Sequence, residues 1–223
     1  MLHSPDGEVS GSSVTEAQDG FVEAVRRGYN AVSVRYRADD AETGKYQPWI
    51  TRLLELLSPG SRVLDLGCGC GVPVTRDLTA AGHAVTGVDL SDVQVERARR
   101  LVPTATFIRA DAAALRLPLA SYDAVVALYS IIHLPLAAQP PLLRAIAGWL
   151  VPDGTLLLSA GWRAWTGFEP NWLGGDATMW WSTPTRRRTG DGWPKPACEC
   201  EVRSSSPRAT ADTACFGRCR GPR

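Results

Sequence analysis

At 223 residues the chain is long enough to bury one full core, and 24 basic against 23 acidic side chains leave a net charge of +1, which argues for no particular polyanionic partner. No apolar run approaches the roughly 20 residues of a membrane helix, and the opening MLHSPDGEVSGSS lacks the basic-then-apolar layout of a secretion signal. A cytoplasmic protein with no nucleic-acid and no membrane partner is therefore the expectation.

Residues 1–18 are rich in Ser, Gly and Asp and are expected to be disordered. Two amphipathic stretches follow, at 19–30 and 44–58, joined by VSVRYRADDAET, and Ser58-Pro59-Gly60 stops the second. A strand is predicted at 62–67 and a helix at 72–81, with Pro73 in its first turn. A second strand runs through 83–88 to Asp89. Ser91 and Gln94 then have the spacing of a capping box, and Glu96 and Arg100 that of an i,i+4 ion pair. Further strands are predicted at 105–109, 124–128 and 155–159, with helical periodicity over 142–150 between the last two. Five near-continuous apolar strands alternating with helices predict a parallel sheet covered on both faces.

The most informative run is VLDLGCGCG at 63–71, an apolar strand that ends in a glycine-rich turn. Such a turn brings bare backbone up to a nucleotide-like ligand. Asp89 closes the next strand, 22 residues after Gly67, where a carboxylate can accept hydrogen bonds from both hydroxyls of a ribose. A nicotinamide or flavin fold wants G-x-G-x-x-G. Here Gly67, Gly69 and Gly71 alternate, position 72 is Val, and Asp65 precedes the turn.

That D-x-G-x-G-x-G arrangement resembles the class I S-adenosylmethionine-dependent methyltransferases. The resemblance runs from 29 to 181 and includes, in order, VLDLGCGCG, VTGVDLS (85–91), FIRAD (107–111), SYDAVVALYSIIHLP (121–135) and LVPDGTLLLSAG (150–161). It implies a Rossmann-like α/β fold, S-adenosylmethionine as cofactor, and methyl transfer by in-line displacement to a small-molecule acceptor. It further implies that Gly67, Cys68, Gly69 and Gly71 pass the methionine part of the cofactor, with Asp65 orienting the loop. Asp89 and Leu90 would meet the ribose, and Asp111 with the Ala112 amide the adenine edge. Tyr129, with Ser130, would lie beside the methyl group. Tyr29 and Tyr36 resemble the family's lid; ordinary core packing is the alternative for both. Asp111 also suits a helix N-cap for 112–116. His133 follows the fourth strand and is the candidate base, needed only if the acceptor must lose a proton; packing under the Leu134-Pro135 turn is the alternative.

The acceptor is not legible. Trp162, Trp165, Phe168, Trp172, Trp180 and Trp181 crowd the stretch after the fifth strand and suit either an acceptor pocket or a cap on later strands. From Thr183 onward the chain changes character: nine Arg or Lys stand against four Asp or Glu, with Trp193, Val202 and Phe216 the large apolar side chains of 41 residues. This low-complexity basic tail is expected to be disordered, leaving the domain to span 19–182 and the family's strands six and seven missing. Dropping two bases from GC-biased codons at Ser182 recovers an amphipathic helix, a glycine stop and a strand, so the tail reads as the product of a shifted frame. Protein that binds S-adenosylmethionine without turnover, because the end of the fold is lost, is the corresponding alternative. Cys198, Cys200, Cys215 and Cys219 invite a zinc reading, but C-x-C is a poor zinc spacing and the tail holds no His; no metal is expected.

Overall fold

The computed structural model describes residues 11–160, 164–183, 198–204 and 213–219. Helix α1 (Gly11–Tyr36) and a 3-10 turn lead into α2 (Gln47–Leu56). Then β1 (Arg62–Leu66), α3 (Val74–Ala80), β2 (Ala84–Asp89), α4 (Asp92–Leu101), β3 (Thr106–Arg109), β4 (Tyr122–Ala127), α5 (Gln139–Trp149) and β5 (Leu150–Ala160) alternate. A hairpin, β6 (Trp165–Glu169) and β7 (Met179–Thr183), precedes β8 (Cys198–Ser204) and β9 (Thr213–Cys219).

The main sheet has the order β3-β2-β1-β4-β5-β9-β8. Its first five strands are parallel, as their unbroken apolar runs predict. Alternate residues serve opposite faces. Leu64, Leu66, Val125, Leu156 and Leu158 pack with α5 through Ile146 and Trp149. Val63, Val126 and Leu157 face Trp49 and Leu53 of α2 and Leu78 of α3. Each fully buried Leu or Val of this kind is worth about 1.5–3 kcal/mol of transfer free energy, so these two clusters carry the fold.

The tail departs from expectation. Strands six and seven are not missing: β9 runs antiparallel to β5, with Leu157 opposite Phe216, and β8 pairs with β9 in turn. Phe216 is buried. A strand edge offers backbone N–H and C=O groups to any chain segment that can extend, so pairing here does not need the apolar density that sequence reading looks for. Residues 184–197, 205–212 and 220–223 lie outside the described residues, as do the side chains of the four tail cysteines.

Several local details also differ. Helix α1 begins before the expected start at 19 and continues through VSVRY. Val25, Tyr29, Val32 and Tyr36, spaced four, three and four apart, keep one face apolar through the β-branched run and pack against Trp172 and Met179. Tertiary burial here overrides weak propensity. The Ser91 hydroxyl does accept from the Gln94 N–H at 3.0 Å, but the Gln94 side chain turns to the Ser33 hydroxyl instead of back to the cap. Arg100 pairs with Asp39 at 2.6 Å in place of Glu96, because the chain after α1 brings Asp39 across to α4.

Candidate functional site

The carboxyl ends of β1, β2 and β4 open into a cavity of about 230 Å³, the place where an open α/β sheet receives its ligand. Gly67 leaves β1 with φ +74° and its N–H donates to the Val88 carbonyl at 2.7 Å. A Cβ on Gly67 would stand 2.3 Å from the Ser130 Cβ, so only glycine fits. The Gly69 N–H donates to Asp89 Oδ2 and the Ser91 N–H to Asp89 Oδ1, both at 2.8 Å. Asp89 therefore ties the loop to β2 through both carboxylate oxygens while its carboxylate lines the cavity. Shelter from water raises its carboxyl against these backbone donors.

Gly67, Gly69, Asp89, Leu90, Asp111, Ala112, Tyr129, Tyr36 and His133 line this one cavity. The remaining expected residues stand behind it. Asp65 is buried, accepts from the Thr75 hydroxyl at 2.7 Å, and is raised to about 7 chiefly by burial. Cys68 is buried among Val95, Ala98 and Phe107, and burial pushes its thiol up. Gly71, with φ +77°, backs onto Phe107 and Val102 and does not reach the cavity; a Cβ there would meet them at 3.2 and 3.3 Å. Asp111 caps a turn, accepting from the Ala113 N–H at 2.9 Å, while still facing the cavity. The expected helix over 112–116 is a turn only.

Tyr129 sits in the left-handed region with φ +57°. It is held there by the Ser159 hydroxyl, which accepts from its N–H at 2.7 Å. A non-glycine residue in that region costs of order 1–3 kcal/mol and marks a position the surroundings impose. The Lys45 ammonium lies 4.2 Å from the centre of its ring.

His133 is buried in a 3-10 turn after β4. Its Nδ1 lies 2.7 Å from the Trp180 carbonyl oxygen and its Nε2 lies 2.8 Å from the Tyr29 hydroxyl. Burial lowers the imidazole to about 4, with the Trp180 carbonyl opposing. The ring is neutral at pH 7. The aromatic stretch is a cap: Trp172, Trp180 and Met179 pack on α1, and the Trp181 ring centre lies 4.5 Å from that of His133. No tryptophan lines the cavity among the described residues; Trp162 lies outside them. Val22, Val25 and Arg26 of α1, with Leu134, Pro135 and Leu142, were not legible as site residues. Nothing in their local pattern distinguishes them from ordinary amphipathic helix and turn positions.

Glycine backbone, paired acids and a neutral imidazole around one cavity suit a cationic nucleoside ligand, and 63–154 match the family model of a methyltransferase domain. Residues 63–154 form a methyltransferase domain similar to those of the class I S-adenosylmethionine-dependent family. S-adenosylmethionine, the cofactor of such domains, fits the glycine turn that a Cβ would block and the Asp89 carboxylate on the cavity wall. The chain is 38% identical over 131 residues to 27-O-demethylrifamycin SV methyltransferase of Amycolatopsis mediterranei (strain S699), covering 53% of this chain and 47% of that one. It is 34% identical over 149 residues to 2-methyl-6-phytyl-1,4-hydroquinone methyltransferase of Synechocystis sp. (strain ATCC 27184 / PCC 6803 / Kazusa), covering 65% and 43%. The chain thus spans less than half the length of these curated relatives. In fold it matches DhpI in complex with SAH at a TM-score of 0.69, with 20% identity over 92% of this chain and 99% of that one.

Proposed function

We propose that the protein transfers the methyl group of S-adenosylmethionine to a small-molecule acceptor, and that it works in the cytoplasm. The observation that carries this reading is that a single cavity joins Asp89 and Asp111 to Tyr129 and His133, so that nucleoside-binding groups and an acceptor-side base share one space. The sulfonium supplies an already activated methyl group, so the protein's task is alignment of the acceptor in a site that excludes water.

Gly67 and Gly69 offer backbone to the methionine part, with Asp65 bracing the loop from behind and Cys68 and Gly71 filling its rear. Asp89 and Leu90 hold the ribose. Asp111 and the Ala112 amide present an acceptor and a donor to the adenine edge. Tyr129 flanks the methyl group, Tyr36 closes the site from α1, and His133 takes the acceptor's proton. An acceptor without net charge fits the near-neutral chain and the largely apolar walls. None of the described helices is long and apolar enough to cross a membrane.

Binding without turnover is the less favoured reading, since β8 and β9 supply the end of the sheet whose loss it requires. The first test is the thermal melt with and without S-adenosylhomocysteine. A ligand that binds only the folded chain stabilises it by about 2.7 kcal/mol at a hundredfold excess over Kd. An unchanged cooperative melt would sink the assignment.

A further inference from the structure

The environment of His133 dictates which group meets the acceptor. A carbonyl oxygen can only accept, so the 2.7 Å contact with Trp180 places the ring proton on Nδ1. Nε2 then holds a lone pair, and the Tyr29 hydroxyl at 2.8 Å must donate to it. Both nitrogens are occupied, and the imidazole does not need a direct contact with substrate. Tyr29 lies on α1 and faces the same cavity as Gly67, Asp89 and Tyr129. Its oxygen, while donating to Nε2, keeps lone pairs that can accept from a ligand's O–H.

We propose that Tyr29 and His133 form a proton relay for a hydroxyl acceptor, so that the substrate is an alcohol, phenol or enol whose O–H donates to the Tyr29 oxygen. This rests on the methyl-transfer reading above. The acceptor oxygen forms the new C–O bond as the methyl–sulfur bond breaks with its electron pair going to sulfur. The acceptor's O–H bond breaks, its proton passes to the Tyr29 oxygen, and the proton Tyr29 already carries passes to Nε2. The products are an ether, a neutral thioether and an imidazolium whose Nδ1–H still donates to Trp180. The step moves one positive charge from sulfur to imidazole and leaves the total unchanged, so the buried imidazole becomes charged only as the sulfonium ceases to be. Asp89, Asp111, Arg26, Tyr36 and Tyr129 are the other ionisable groups that line the cavity, and Trp181 is the neighbour packed on the imidazole ring. A thiol ionises readily and a neutral amine can lose its proton to water after transfer, so neither requires such a chain; a weakly acidic hydroxyl does.

The test begins with nitrogen NMR of the full chain, which has three histidines, assigned with His133→Gln. The expected His133 spectrum is a neutral ring with the proton on Nδ1, and Tyr29→Phe should move the Nε2 resonance while leaving Nδ1 in place. A proton on Nε2 would overturn the relay. Turnover is then measured with S-adenosylmethionine and a series of phenols of graded acidity. Tyr29→Phe and His133→Gln should each cost about 100-fold or more in kcat with weakly acidic phenols, and far less with nitrophenols that are already ionised. Affinity for S-adenosylhomocysteine should be unchanged. An equal loss across the series, or full activity in Tyr29→Phe, would overturn the proposal. So would transfer to none of the phenols while S-adenosylhomocysteine still raises the melt. Absence of that rise would instead fail the methyl-transfer reading itself.

Discussion

Gly67 and Ser130 meet where β1 and β4 end, so closely that a Cβ on Gly67 would stand 2.3 Å from the Ser130 Cβ. The glycine turn and the segment that carries His133 are thus in direct van der Waals contact. Gly67→Ala adds this clash to a φ of +74°, and should destabilise the protein by about 1–3 kcal/mol and abolish the melt shift with S-adenosylhomocysteine. Adding Ser130→Gly should return part of the stability, the part due to the clash, in denaturant titrations. Full recovery would mean that backbone conformation costs nothing there.

Asp89 accepts from backbone N–H groups, those of Gly69 and Ser91 among them. An Asn at 89 keeps one acceptor oxygen and points an NH₂ at the other amide. Calorimetric titration with S-adenosylhomocysteine should show affinity lowered by about 10–100-fold, the scale of losing a hydrogen bond to a charged group. Unchanged affinity would remove Asp89 from the ribose site.

The neutral, buried imidazole of His133 predicts an acid limb in stability. Its folded value of about 4 lies below the ordinary 6.5, so between these values the unfolded chain binds more protons and stability rises with pH. The contribution is fully present above about 6.5 and is lost as pH falls towards 4. His133→Gln should flatten this limb in melts recorded across that range. A variant with the same acid limb as the parent would show that His133 is not its source.

Asp65 carries the opposite sign. Burial raises it from 3.8 to about 7, so its folded form holds a proton that the unfolded chain has released, and stability falls as pH rises through that value. Asp65→Asn keeps an acceptor for Thr75 without a buried charge. It should melt no lower than the parent at pH above about 7, yet bind S-adenosylmethionine less tightly. Loss of stability without loss of affinity would reverse the assignment of Asp65 as a brace for the loop.

Phe216 lies opposite Leu157, at the edge of the parallel strands. Deleting 184–223 should uncover that apolar edge and send the protein into aggregates, visible by light scattering at a concentration where the full chain stays clear. The shifted-frame reading of the tail is tested separately in the coding DNA. A single insertion or deletion near codon 182 should open a frame encoding an amphipathic helix followed by a strand, and absence of such a frame would dismiss it.

The sequence by itself determined the parallel core and the chemistry of the glycine turn. Each depends on neighbours within a few positions: unbroken apolar runs for the strands, Asp65 and three alternating glycines for the loop, and Asp89 closing the next strand. The extent of α1 was not legible, because its last turns are helical only against Trp172 and Met179. Nor were β8 and β9, which owe their pairing to the backbone edge of β5. Tertiary structure alone brought Tyr29 to His133, 104 positions away in the chain, and set Trp180 behind it. A tautomer is decided by what touches each ring nitrogen, and those contacts come from three elements that only folding assembles.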